Sequence, residues 1–238
     1  MQSMTIDFHL QELSFTLFIE QLDPAVFNLN ALQRLGVIES SWKLAEEPIY
    51  QANGMKLIFS NKVRIIAKSD RLVFAETVGN KRLQDTHVAQ AVINCVRGFP
   101  ELQYRAATLN PGGYAKFSSS SEARKYLAEG LLASTPWSKF HGQPINAVGL
   151  KLVYPYKSGK FHLEINQASL DIAGRAIPAV WFAGNFNYQF KGKSSEQKYF
   201  DLNNILQNWQ FDIQNYQSYI NKELLAVSVI PSLSIFPL

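Results

Sequence analysis

VWFAGNFNYQF, residues 180–190, alternates without a slip. Val180, Phe182, Gly184, Phe186, Tyr188 and Phe190 fall on one side of an extended chain, and Trp181, Ala183, Asn185, Asn187 and Gln189 on the other. Successive side chains of a strand point to opposite faces, and aromatic rings suit a pleated, half-buried surface, so the stretch is a strand with one face to cover. That aromatic face is either a reading surface for a ligand or the wall of a core. The residues that follow favour the wall: Leu202, Ile205, Leu206, Trp209, Ile213, Tyr216 and Ile220 recur at helical spacing, which puts an apolar stripe on one side of a helix. The sequence therefore predicts one long helix from about Ser195 to Asn221 lying over the strand. Gly184 marks either a bulge or a close approach of the helix.

Working outward, INAVGLKLVYPY (145–156) and KFHLEINQA (160–168) precede this strand and complete a meander. The same plan occurs earlier in the chain. MKLIFS, KVRIIAK and RLVFAETV are separated by the short polar breaks Ser60-Asn61 and Ser69-Asp70, which suit hairpins. Val88, Val92, Cys95, Val96 and Phe99 then share a helical face that Gly98 and Pro100 end. Residues 4–19 read as one long strand with a bulge or as two short ones, because the apolar parity changes between Leu10 and Leu13. LQYRAATL reads as a strand broken at Asn110-Pro-Gly-Gly113, and Ser119 with Glu122 as a capping box opening a helix near Ser120. The expected fold class is α+β: antiparallel sheet built from two strand-strand-strand-helix halves, with the helices packed on one face. Residues 1–238 are expected to form a single domain, with a two-lobed substructure, 1–117 and 118–238, as the alternative.

Composition sets limits on function. The chain has 16 Phe and 10 Tyr, a formal charge of +4 and a single cysteine, so neither an intrachain disulfide nor a cluster of thiolate ligands can form. A reducing, cytoplasmic setting is expected, with Cys95 as a small buried hydrophobe. No apolar run is long enough to cross a bilayer, and the N-terminus lacks the basic and apolar blocks of a secretory signal.

The chemical motifs fail one by one. Gly192-Lys193-Ser194 precedes a helix, but a phosphate loop needs a glycine where Asn187 stands. His9, His87, His141 and His162 include no pair at the spacing by which two imidazoles share an ion. His162 and Glu164 share a strand face without the downstream cysteines of a zinc deaminase, and Ser195 with Lys198 lacks the companion motifs of a serine–lysine enzyme. No catalytic, cofactor-binding or metal-ligating residue is assigned.

Two surfaces survive. In an antiparallel meander the turn at Lys157–Lys160 and the exit at Lys191–Lys193 lie at one end of the sheet. Lys157, Lys160, Lys191 and Lys193, with Tyr154, Tyr156 and Tyr188 beside them, form a candidate polyanion site in which rings stack on bases and ammonium groups meet phosphates. The uncharged tail from Leu224 must also be covered; Val227, Val229, Ile230, Leu233, Ile235 and Phe236 are its candidate partner contacts. The leading expectation is a non-catalytic interaction protein, a subunit or adaptor of a cytoplasmic assembly that binds a protein partner or itself. The alternatives are a nucleic-acid-associated accessory protein and an enzyme with an unrecognised site.

Overall fold

The parity change in the first strand is a bulge. In the computed structural model, which describes residues 6–132 and 139–226, β1 (Phe8–Ile19) runs unbroken, and its register against the central neighbour shifts between Leu10 and Glu12. Leu10 and Leu13 are thereby buried on the same side although three positions apart. The tail contacts expected at Val227, Val229, Ile230, Leu233, Ile235 and Phe236 lie outside the described residues.

After β1 the chain makes a short 3-10 turn and α1 (Leu29–Arg34), then β2 (Ile49–Gln51), β3 (Gly54–Ile58), β4 (Val63–Lys68), β5 (Arg71–Thr77) and α2 (Val88–Gly98). The second passage gives β6 (Tyr104–Lys116), α3 (Ser120–Lys125), the small hairpin β7 (Lys139–Phe140) and β8 (Gln143–Pro144), then β9 (Gly149–Tyr156), β10 (Gly159–Ile172) and β11 (Arg175–Gln189). Two helices close it, α4 (Ser195–Gln207) and α5 (Trp209–Tyr219). The fold is α+β. Nine strands form one antiparallel sheet in the order β2-β3-β4-β5-β1-β6-β11-β10-β9. Apart from β2, that order is symmetric about the β1–β6 pair, each half placing its first strand at the centre and its meander outward. One apolar core runs under both halves.

The sequence expectation fails at three places. The strand does not break at Asn110-Pro-Gly-Gly113; β6 continues through it, although proline cannot donate to a ladder. The β6–β11 pairing has a gap between Gly112↔Ala183 and Leu109↔Phe186, Pro111 sits in that gap, and the register is the same on both sides. The missing N–H thus costs an interruption and not the strand. The helix does begin at Ser120, but it runs only to Lys125 before giving way to a wider turn over residues 126–131. Ser119 accepts the amide of Glu122, but the Glu122 carboxylate bonds to Ser118, so the capping box is incomplete there. A complete one opens α4, where Ser194 and Gln197 bond reciprocally.

The third correction concerns the long helix, which is two. Asn208 caps α4, its N–H meeting the carbonyl of Ile205 at 3.1 Å, and α5 starts at Trp209. The expected stripe is nevertheless buried: Leu202, Leu206, Trp209, Ile213, Tyr216 and Ile220 all lie in the core. The break lets α4 pack against α2 and β6 while α5 covers the C-terminal meander, where Tyr216 donates to the carbonyl of Phe182 at 2.8 Å. Val180, Phe182, Phe186 and Tyr188 are buried beneath it, so the aromatic face is a core wall. Gly184 marks the close approach: a Cβ there would meet the Tyr216 ring at 2.8 Å and Pro111 at 2.9 Å.

Candidate functional site

The residues of the expected lysine–tyrosine patch go to several places. Lys157, held at a positive φ of 47° in the β9–β10 turn, reaches the helix side of the sheet. Its Nζ lies 2.6 and 2.9 Å from the two oxygens of Asp212 on α5. The hydroxyls of Tyr156 and Tyr188 each donate to the same carboxylate at 2.5 Å. Asp212 is fully buried, and a buried carboxylate is tolerated only when hydrogen-bonded and paired. Burial raises both tyrosines above their usual range, and their bonds to Asp212 raise them further. Tyr154 instead meets the Tyr219 hydroxyl at 2.9 Å. Tyr219 is pushed up to about 12 by burial and by this bond.

Lys160 belongs to the opposite face of the sheet, since its neighbour Phe161 points into the core. Lys191 and Lys193 are exposed in the link to α4, where their backbone N–H groups bond to Asp201 and Gln197. Lys157, Tyr156 and Tyr188 are thus brought together, around a carboxylate. Asp212 is the residue sequence reasoning missed. Its signal was present: an acid three positions after Trp209 and directly before Ile213 falls beside the apolar stripe.

Beside this cluster Tyr154, Tyr156, Phe161, Phe186, Tyr216 and Tyr219, with Asn215, line an apolar cavity of about 240 Å³. Phe161 and Phe186 stack with centroids 4.5 Å apart. The volume is below the usual range of about 300–1,000 Å³ for small-molecule pockets.

The second fully buried carboxylate, Glu76 on β5, has the same kind of surroundings. One oxygen accepts from Lys81 Nζ at 2.6 Å, the other from the backbone N–H groups of His87 and Val88 at 2.7 and 2.8 Å, at the start of α2. A carboxylate there satisfies unpaired amides and opposes the helix dipole. Cys95 is buried on the core-facing side of α2, and burial pushes its thiol well above the usual range. Among the described residues no three His, Cys, Asp or Glu side chains are grouped to hold a metal ion.

The opposite face of the sheet is built otherwise. The helices gather on one side, leaving Ser14, Thr16, Thr108, Asn110, Asn185 and Asn187 along the middle of the other. Asn185 donates to Asn110 at 2.5 Å, and Asn110 to Thr108 Oγ1 at 3.1 Å and Ser14 Oγ at 3.4 Å. No protein-family model matches the chain. No curated protein matches it in sequence either. The chemistry of this face therefore has to be read from its own residues.

One cross-sheet row of paired positions runs Lys56, Ile66, Val73, Thr16, Thr108, Asn187, Lys160, with a lysine near each margin. Toward one end of the strands His9 and Tyr114 rings lie 5.5 Å apart, Lys116 sits 5.8 Å over Tyr114, and Trp181 packs on Gly112. Toward the other, Arg71 lies 5.5 Å over Phe18. The two glutamates of the face are paired, Glu12 with Arg64 at 2.7 Å and Glu164 with Lys151 at 3.1 Å. Lys56, Lys68, Lys116 and Lys160 have no ion pair among the described residues.

Proposed function

We propose that this chain is a non-catalytic interaction protein, a subunit or adaptor of a cytoplasmic assembly, and that the helix-free face of the sheet is its working surface. One observation carries the reading: among the described residues, the helices cover one side of a nine-stranded sheet and leave the other without them. The other side presents ordered polar and aromatic side chains on rigid strands, and a side chain on a strand is held more firmly than one on a loop. The two fully buried carboxylates support the non-catalytic part. Both oxygens of Asp212 and of Glu76 are engaged by donors of the same chain, joining helix to sheet. The lone buried cysteine agrees with a reducing compartment, and no helix among the described residues is long and apolar enough to cross a membrane.

Position-specific photo-crosslinking in the native cells tests the reading. A photoreactive amino acid at Thr16 or Asn187 is expected to trap a defined partner, identified by mass spectrometry. The same group at Asn204 or Gln210, on the outer side of the helices, is expected to trap none. Crosslinks from the helix layer alone would overturn the assignment of the face.

A further inference from the structure

We infer that the helix-free face of the sheet binds a single-stranded nucleic acid. The inference rests on the proposed use of that face and names its occupant. Charge is the first argument. Lys56, Arg64, Lys68 and Arg71 lie on the N-terminal half of the face and Lys116, Lys151 and Lys160 on the C-terminal half. Glu12 and Glu164 oppose them from within the face, and Asp70 pairs Arg71 from the adjoining turn. Lys56, Lys68, Lys116 and Lys160 are left to meet an outside anion. A polyanion that releases counterions on binding is the natural complement of such spread, unpaired ammonium groups.

Geometry is the second argument. The row from Lys56 to Lys160 crosses seven neighbouring strands, roughly 29 Å at about 4.8 Å per strand, a length that suits several nucleotides of an extended strand. Between the lysines the row carries Ile66 and Val73, then Thr16, the buried Thr108 and Asn187. Thr16 and Asn187, with neighbouring His162, have no side-chain hydrogen bond among the described residues, so their hydroxyl, amide and ring nitrogens are available to base edges. Tyr114, His9 and Trp181 offer ring faces on the same side of the sheet, about 20 Å from the row at roughly 3.3 Å per residue, at the end of the strands that carries Lys116. Base stacking on aromatic rings, with phosphates on lysines, is how open sheets bind unpaired strands. A duplex buries its base edges and cannot use these groups in the same way.

The test is fluorescence anisotropy of the full chain with a labelled, mixed-sequence 12-nucleotide RNA, repeated over a range of salt. Binding is expected at low salt, with a log–log salt slope of about −0.7 per phosphate met, hence about −2 to −3 for these lysines. Combined Lys56→Gln, Lys68→Gln, Lys116→Gln and Lys160→Gln, all at the surface and checked for an unchanged melt, should weaken binding at least tenfold and flatten the slope. Asn187→Leu should weaken binding and leave the slope unchanged. Lys191→Gln with Lys193→Gln, away from the face, should do neither. No binding by the wild-type chain at low salt, unaltered binding by the fourfold variant, or equal affinity for the matching duplex would overturn the inference. A protein trapped from Thr16 together with no RNA binding would remove the nucleic acid and leave the interaction reading standing; failure of both experiments removes both.

Discussion

Each half of the sheet buries one carboxylate, and the two are used in opposite directions. In the N-terminal half the acid sits on a strand: Glu76 projects from β5 to hold Lys81 and the first amides of α2. In the C-terminal half it sits on a helix: Asp212 projects from α5 onto Tyr156 of β9, Tyr188 of β11 and Lys157 in the β9–β10 turn. A helix start brings its own unpaired N–H donors, so the first arrangement needs one lysine and backbone. Asp212 lies in the first turn of α5 but turns to the sheet, and both its oxygens take their donors from the side chains of Tyr156, Lys157 and Tyr188. The aromatic richness of β9 and β11 follows, since a tyrosine can pack its ring in the core and still deliver a hydroxyl.

The largest effect is expected at the joint between the halves, where Trp209 opens α5 and packs edge-on against Phe15 of the central strand, with ring centroids 6.0 Å apart. Trp209→Ala should cost about 4 kcal/mol in urea unfolding, as loss of a buried large aromatic does. An unchanged midpoint would show that α4 and α5 are not anchored there. Asp212→Ala should come next, at about 3 kcal/mol, because it leaves a buried phenol, a half-buried one and a half-exposed ammonium without their acceptor. Glu76→Gln should cost less, about 1.5 kcal/mol, since the amide oxygen can still accept from both backbone N–H groups while the charge opposite Lys81 and the helix dipole is lost. Equal costs for the two acid substitutions would erase the distinction between the halves.

A smaller and graded difference is expected in alkali. Tyr156, Tyr188, Tyr216 and Tyr219 all belong to the C-terminal half and are all raised by burial. A tyrosine that ionises near 10.0 when unfolded and near 12 when folded, as Tyr219 does, contributes stability that is whole below pH ~10 and is lost as pH rises toward ~12. Chemical denaturation across that window should show the loss, and Tyr219→Phe should reduce its slope slightly. A slope that Tyr219→Phe leaves untouched would assign the alkaline loss to the other tyrosines raised by burial, Tyr104 and Tyr126 among them.

Apolar alternation showed where the strands are, because burial on one face imprints a period of two, and it showed the bulge in β1 as a change of parity. It could not show that β6 survives Pro111, since the outcome depends on the gap in pairing with β11. The division at Asn208 was also hidden: the buried positions keep their spacing across it, and the division is visible only in what each helix packs against. Among the site residues, Lys157 and Lys160 lie three positions apart yet serve opposite faces. The left-handed backbone at Lys157 and the alternation of β10 decide this, and the lysines themselves do not. The unpaired face was legible only as the remainder, Asn185, Asn187 and Gln189 looking away from the core.

The central place of β1 has a consequence during synthesis on the ribosome. Its Thr16 waits for Val73 on one side and Thr108 on the other, so β1 is enclosed only after β5 and β6 have been made. At about 5–20 residues per second that interval is on the order of ten seconds. For that time the nascent chain exposes a twelve-residue strand with alternating apolar side chains and, once β5 has paired, one bare edge. Slowed elongation between residues 78 and 104 should therefore raise aggregation more than the same delay placed after residue 116.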